Sequence, residues 1–497
     1  MRPDEASPSI LVSLRQPFAA LSQTHGKSDY TALLFTLTIF VKNVHTTLLF
    51  LFAICSASAL ANGGSESRKI TLDQAYDMTL RSDESILDAY WKTRSSNLEP
   101  WSALTRLGPS LTGNAGLTAA GQRTSAPTAV NNEPTGATVQ PESTATASVN
   151  THSDTGSMGL TFQQTLLDLT AIPAYRKGKL TAYAARLRYQ YTIRQALYGL
   201  AQAYYEVLKQ QRIVSVYTET VQLAEGQVHV AQSKADAGES LRSDVLSAQV
   251  TLESDRQLVI QAQNTLRSDR NKLCNILSIP HDSIFDLVEP SAYPTELPGF
   301  ETLLARALLR REDLKVKAIA IDQNIEARNE VKGEYGPKIV AQVDGNYNRI
   351  SGSTDSRTAS WDAGLSVSMP FLTGGQREID LRNASYTINE ARLDYNSQSK
   401  TVEQDVSDAW FQVRTLQASL RSLRVQVASA RQNYEDIGNQ YRAGTSTSID
   451  VLNALDSLNA ARRDLATESY DYQVALRNIE ETTGVFQQQR IESMKFK

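Results

Sequence analysis

Two series of apolar residues, each stepping by seven, run side by side between residues 402 and 441. Val402, Ala409, Leu416, Leu423, Ala430 and Ile437 make one series, and Val406, Val413, Leu420, Val427, Tyr434 and Tyr441 make the other. Six heptads with every seam position apolar predict a long coiled helix over residues 375–440. An earlier stretch repeats the pattern with Ala196, Ala203, Tyr217, Ala224 and Ala231 beside Leu200, Val207, Val214, Val221, Val228 and Ala235, broken only at Gln210. It predicts a second long helix over 168–236. Shorter seven-step series follow each one: Val245, Leu252, Val259, Leu266 and Leu273 predict a helix over 240–279, and Val451, Leu458, Leu465, Tyr472 and Ile479 one over 447–485. A continuous helix of the 375–440 length spans about 100 Å at 1.5 Å per residue, far more than a globular helix.

Elsewhere the period drops to two. Trp361, Ala363, Leu365, Val367, Met369 and Phe371 alternate with Asp362, Gly364, Ser366, Ser368 and Pro370, and Met158, Leu160 and Phe162 alternate with Ser157, Gly159 and Thr161. With the weaker partners "PSLTGNAGLT" and "PKIVAQVDGNY", strands are predicted near 109–118, 156–166, 337–348 and 360–372. A half-buried sheet of a soluble domain and a lipid-facing barrel wall both give this alternation. For a barrel wall, Trp361, Leu365, Val367, Met369, Phe371, Leu160 and Phe162 would face lipid.

These elements come in two copies. "AGESLRSDVLSAQ" at 237 and "AGTSTSIDVLNAL" at 443 lie 206 residues apart, as do Ala203-Tyr204-Tyr205 and Ala409-Trp410-Phe411, while "LGPSLTGNAG" at 107 and "YGPKIVAQVD" at 335 lie 228 apart. The first repeat runs over 62–279, a linker over 280–296, the second repeat over 297–486 and a tail over 487–497. In the recurring phrase, Gly238 and Gly444 can end one helix in the left-handed conformation, and the Ser/Thr residues after them can cap the next, with Thr447 three before Asp450. These are hairpin tips. Thr71 and Gln74 form a capping box that opens a helix continuing toward Pro100, and "FETLLARALLRREDLKVKAIAIDQNIEARNEVK" opens the second copy. Between Ala119 and Thr155 the chain has no aromatic residue and is rich in Ser, Thr, Pro, Gly and Asn, which reads as an exposed, mobile loop.

Near the start, Lys42 and His45 precede "TTLLFLFAICSASALA", which ends with Ala59 and Ala61 in a cleavable arrangement, so residues 1–61 read as a secretory signal with an N-terminal extension. A transmembrane anchor is the competing reading, although neither apolar run there reaches about 18 residues. The mature chain carries 46 basic and 51 acidic residues, which offers no basic excess to attract nucleic acid. Cys274 has no intrachain partner once Cys55 is removed, and Ile54 before Cys55 is too large for a lipid-attachment signal. The mature histidines, His152, His229 and His281, are scattered, and no phosphate loop, nucleophile elbow or metal-ligand cluster is present, so no catalytic, cofactor or metal site is expected.

Four strands cannot close in a membrane, where each unpaired backbone group costs several kcal/mol, so a barrel needs other chains: eight strands in a dimer, twelve in a trimer. The duplicated strand–strand–helix–helix plan resembles the TolC family of outer-membrane channel proteins from about Ile70 to Val485, through "ITLDQAYDMTLRSDESI", "AYYEVL" at 203, "GLSVSMPFLTGG" at 364 and "QYRAGTSTSIDVLNAL" at 440. The resemblance implies a mainly α fold with a small membrane β-barrel contribution: long coiled α-helical hairpins forming an α-barrel, plus four antiparallel strands per chain, closed as a homotrimer. It implies an exit duct, without enzymatic activity or cofactor, in the outer membrane of a Gram-negative bacterium with a long periplasmic portion. Its implied partners are outer-membrane lipid, a periplasmic adaptor (membrane fusion protein) and an inner-membrane pump of RND or ABC type.

The same resemblance makes the tips a periplasmic entrance. Asp450 matches an acidic ring position, and Tyr441 matches a tyrosine that bonds toward a neighbouring chain's aspartate at the position of Asp244. Two positions depart from the pattern: Ser446 stands where the best-known member has a gating arginine, and Asn453 where it has a second ring aspartate. Arg442 or Arg242, each beside a matched position, is the candidate substitute. Simple helix capping by Asp450 and Asp244, and a seam role for Tyr441, are the plainer explanations. A secreted coiled-coil scaffold or adhesin without a pore is the alternative function; it accounts for the heptads but not for the symmetric strands.

Overall fold

The computed structural model describes residues 68–127, 146–290, 297–352 and 355–493. The expected signal sequence over 1–61 and the centre of the Ser/Thr-rich loop lie outside the described residues. The first copy comprises β1 (Arg68–Ile70), α1 (Leu72–Ser82), α2 (Glu84–Ser96), α3 (Glu99–Thr105), β2 (Pro109–Pro127), β3 (Thr146–Leu167), α4 (Ala171–Asp236) and α5 (Arg242–Leu277). After β4 (Phe285–Leu287), the second comprises α6 (Phe300–Arg310), α7 (Glu312–Gly333), β5 (Lys338–Gly352), β6 (Ser356–Ser368), α8 (Gln376–Arg442) and α9 (Ser448–Thr482), followed by α10 (Gln488–Ser493). The long helices α4 and α8 hold 66 and 67 residues, so each runs about 100 Å at 1.5 Å per residue.

The heptad seam is the packed face. Val402, Val406, Ala409 and Val413 of α8 are buried against Leu303 and Ala307 of α6 and Ala475 and Ile479 of α9. The corresponding stretch of α4, from Ile193 to Leu208, packs on Tyr76 of α1, on Leu273 and Leu277 of α5 and on Phe486. Gln210, the polar break in the seam, is buried, and its side-chain amide donates to the Ala262 carbonyl at 3.4 Å. That bond satisfies a group that would otherwise be costly to bury.

Both opening helices break, where a continuous one was expected. Thr71 and Gln74 form their capping box, with Gln74 N–H donating to Thr71 Oγ1 at 3.3 Å. Asp83 then turns extended and accepts from the N–H groups of Ser85 and Ile86, so one residue ends α1 and caps α2. Arg311 makes the equivalent break between α6 and α7. The breaks fall at equivalent places, because α6 and α7 begin 228 residues after α1 and α2.

The guanidinium of Arg194 on α4 lies 2.7 Å from Glu312 at the start of α7, and both side chains are almost wholly buried. Arg194 also donates to Gln488 of α10 at 2.9 Å. Arg311 binds Asp313 and Asp405 at 2.6 and 2.7 Å, and Arg490 reaches Asp73 and Asp77 of α1. The C-terminal segment is thereby tied to the first copy. The linker contributes β4, which pairs in parallel with β1, and Tyr204 donates its hydroxyl to the Ile70 and Val288 carbonyls at the ends of that pair.

The four long strands form one antiparallel sheet in the order β2-β3-β5-β6, leaving one side of β2 and one side of β6 without a partner strand among the described residues. In this register Leu111, Met158, Leu160, Phe162, Val343 and Trp361 project from one face, and Thr112, Thr161, Asp344 and Asp362 from the other. The apolar face is open: Trp361 is 79% and Leu117 93% exposed, while on the polar face Thr161 donates to Asp344 at 2.6 Å.

Two strand expectations are corrected. β2 and β3 run well into the stretch expected to be a mobile loop, with the ladder continuing from Ala119↔Asp154 to Pro127↔Thr146. The composition argument forbids a core, but a ladder of backbone hydrogen bonds needs none. Conversely, Met369 and Phe371 lie beyond β6, which ends at Ser368: Pro370 has no N–H to offer a ladder, and the segment turns through Gly374 and Gly375 into α8.

Candidate entrance at the hairpin tips

Each long helix ends in a tight tip where glycine supplies the left-handed residue, Gly238 with φ +75° and Gly444 with φ +78°. At the second tip Thr447 caps α9 as expected. Its hydroxyl accepts from Asp450 N–H at 3.3 Å, and Asp450 Oδ2 accepts from Thr447 N–H at 2.9 Å, the Thr447 hydroxyl at 2.6 Å and the Ser446 hydroxyl at 3.1 Å. These donors, the Thr447 hydroxyl first, hold the exposed Asp450 carboxyl below the ordinary carboxylate range. Asp450 is therefore both a helix cap and a fixed negative charge.

The first tip departs from expectation. α5 begins behind Leu241, which provides no side-chain cap, and Ser240 turns back toward the Ala231 carbonyl at 3.5 Å. Cap geometry follows the backbone entry angle, which the shared phrase alone does not fix.

Tyr441, the last residue of its seam, is buried with its hydroxyl beside Ser448 and Ser240 and within the field of Asp244 of the same chain. Burial pushes its phenol above the usual value, and no hydrogen bond of good geometry reaches the hydroxyl among the described residues. Lys234 of α4 sits 5.1 Å from the ring centre. Tyr441 and Asp244 thus already share one neighbourhood within a single chain. Arg442 folds back onto its own helix end, donating to the Gly438 carbonyl at 3.3 Å and the Asn439 side chain at 2.5 Å. Arg242 and Asn453 are exposed. Lys234 was not legible as a tip residue, because nothing in its spacing separates it from other polar positions on α4; Ser240 and Ser448 lie in the recurring phrases, but their place beside Tyr441 was not legible.

Below the tips, Leu455 of α9 inserts between Ala224 of α4 and Leu252 of α5, joining the two hairpins. Among the described residues no group of three or more His, Cys, Asp or Glu side chains could hold a metal ion, and no helix is long and apolar enough to cross a membrane.

The family model for outer membrane efflux proteins matches residues 75–278 and 303–485, one segment in each copy. The chain belongs to the outer membrane efflux protein family. Outer membrane efflux protein BepC of Brucella suis is 25% identical over 342 residues, covering 66% of this chain and 72% of its own length. Alkaline protease secretion protein AprF of Pseudomonas aeruginosa is 22% identical, covering 67% of this chain and 70% of its own. The fold is shared with the Campylobacter jejuni CmeC outer membrane channel, at a TM-score of 0.66 and 16% identity over 85% of this chain and 88% of that one. As a member of the outer membrane efflux protein family, the chain resides in the outer membrane and serves as an exit duct for efflux or secretion, a transport task and not an enzymatic one.

Proposed function

We propose that three copies of this chain close into one twelve-stranded barrel in the outer membrane, continued by a tunnel of long helices whose tips form the periplasmic entrance. The observation that carries this reading is the four-stranded sheet with two unpaired edges and an exposed apolar face. Hydrocarbon tolerates neither open edge, so β2 of one copy must pair with β6 of the next. The sheet reads as a barrel wall with Trp361, Leu365, Val367, Leu160 and Phe162 against lipid. The cargo is delivered by an inner-membrane pump of RND or ABC type through a periplasmic adaptor, and the pump sets the substrate class.

At the entrance, three Asp450 carboxylates form an acidic ring that favours cations. Asn453 supplies no second ring. Arg442 is committed to its own helix end, which leaves Arg242, in the first turn of α5 with Asp244, as the side chain able to make a closing contact in place of the absent arginine at Ser446.

Single-channel conductance of the purified mature protein in a planar bilayer tests the proposal. Cation-selective openings are expected, with selectivity lost in Asp450→Ala. A correctly folded trimer that never conducts in either form would overturn the duct reading and favour the pore-free scaffold. Neutralising Arg442 and Arg242 together should raise the closed-state conductance; an unchanged value removes both from the closing contact.

A further inference from the structure

The seam of α5 that begins at Ala248 continues in steps of seven through Asp255, Ala262 and Asp269, all four buried. Two carboxylates therefore sit where a coiled helix wants apolar side chains. Asp269 is matched by Lys272 at 2.9 Å. Asp255 is not matched: it is 7% exposed, and its buried Oδ2 has no hydrogen-bond partner among the described residues.

Asp456 of α9, an exposed carboxylate one position past Leu455, acts on it through its charge. Asp255 lies one turn beyond Leu252, and Asp456 follows Leu455, so the pair flanks the contact that joins the two hairpins. From α4 the surrounding residues are Val221 and Ala224, with Thr220 donating to Asn459 of α9 at 2.7 Å. From α8 the nearby titratable group is Tyr434. The neighbouring cations are engaged elsewhere: Arg256 with Glu225 and Glu253, and Arg462 with Glu219. Burial first, and the Asp456 charge second, push the Asp255 carboxyl from its ordinary 3.8 up to about 6. Burial raises Asp456 as well.

A buried carboxylate without a donor is relieved by taking up a proton, and the field of a like charge nearby favours that proton further. We propose that Asp255 is a proton-operated latch between the α4–α5 and α8–α9 hairpins: with the proton bound the hairpins stay packed, and without it the buried charge loosens the contact around Leu455. The sign follows from linkage. The native state holds a proton that the unfolded chain has released, so the contact weakens as pH rises from about 4 to about 6 and stays weak above that. Because this contact lies about 16 Å from the start of α5, at 1.5 Å per residue, its loosening acts on the tips. That consequence rests on the duct reading; the latch itself does not.

Amide hydrogen exchange of the full mature protein, corrected for intrinsic rates, tests the latch in wild type, Asp255→Asn and Asp456→Asn at pH 5 and pH 8. Wild-type protection in peptides covering residues 242–262 and 448–462 should fall roughly tenfold from the lower to the higher pH, below the roughly hundredfold ceiling that a two-unit displacement allows. Asp255→Asn should keep its low-pH protection at pH 8, whereas Asp456→Asn, which removes only the smaller cause, should narrow the fall without abolishing it. A flat wild-type profile, or an Asp255→Asn variant that loses protection as wild type does, overturns the latch, and the wild-type profile decides even if a variant fails to fold. Protection that follows magnesium and its chelation at fixed pH assigns Asp255 to a metal ion and also overturns the latch. If exchange follows pH as expected while no conductance is ever seen, the duct reading fails and the latch stands.

Discussion

Replacing Arg194 by methionine removes one half of an almost solvent-free ion pair, in which the Arg194 side chain is 1% and Glu312 5% exposed at a separation of 2.7 Å. Methionine keeps much of the length and apolar stem, so the loss is mainly electrostatic. It leaves the Glu312 carboxylate buried, with Oε2 already lacking a partner, and it frees Gln488 of α10. Breaking a buried pair from one side destabilises by about 3–5 kcal/mol.

Protonation limits that loss. Burial already raises the Glu312 carboxyl above its ordinary value, with Arg194 the main opposing influence, so without Arg194 the folded state takes up a proton that the unfolded chain does not hold. The folded state then binds more protons than the unfolded one between the ordinary carboxylate range and the raised value, and stability falls as pH rises through that window. Urea unfolding of the detergent-solubilised protein, followed by helical ellipticity, should place Arg194→Met about 3–5 kcal/mol below wild type at neutral pH, with a smaller deficit in mild acid. Arg194→Met/Glu312→Gln should recover most of the loss, since no charge remains buried. A single mutant as stable as wild type, or a double mutant no more stable than the single, would refute the claim that an uncompensated buried charge is the cause.

Two further outcomes follow from the sheet and the second tip. Trp361→Arg puts a cation on the exposed apolar face of β6 and should cost about 2–4 kcal/mol if that residue lies near the bilayer midplane; an unchanged yield of folded, membrane-inserted protein would remove this face from lipid. Thr447→Ala deletes the first-ranked donor to Asp450, so its carboxyl should rise toward the ordinary range. Cation selectivity, measured as bilayer pH is lowered, should then disappear at a higher pH than in wild type; identical acid profiles would show that Thr447 does not tune the charge.

The tips show how unevenly the site could be read in advance. Gly238, Gly444 and the Thr447–Asp450 box were legible because each is a local device, complete within four or five residues. The neighbourhood of Tyr441 was not, because Lys234, Ser240 and Asp244 come from the other repeat, about 200 residues away along the chain. Asp255 stood openly on a seven-step series from Ala248, yet its meaning depends on its burial beside the contact of Leu252 with Leu455, which exists only when α5 and α9 pack.

The sequence by itself determined the duplication, the seven-residue seams of α4 and α8, and the two-residue alternation of the strands, because helix and strand periods are properties of a continuous backbone. Tertiary structure decided where those periods stop or persist. Asp83 and Arg311 interrupt helices whose pattern could have continued, and Arg311 is held there by Asp313 and Asp405. β2 and β3 persist through polar residues because each strand supplies the other's hydrogen bonds. Tertiary structure likewise gathered most large apolar side chains of the sheet onto one face, with Val340 and Ile350 on the other, and left its two edges without a partner strand among the described residues, since the facing of a strand is fixed by register with its neighbours, and register belongs to no single strand.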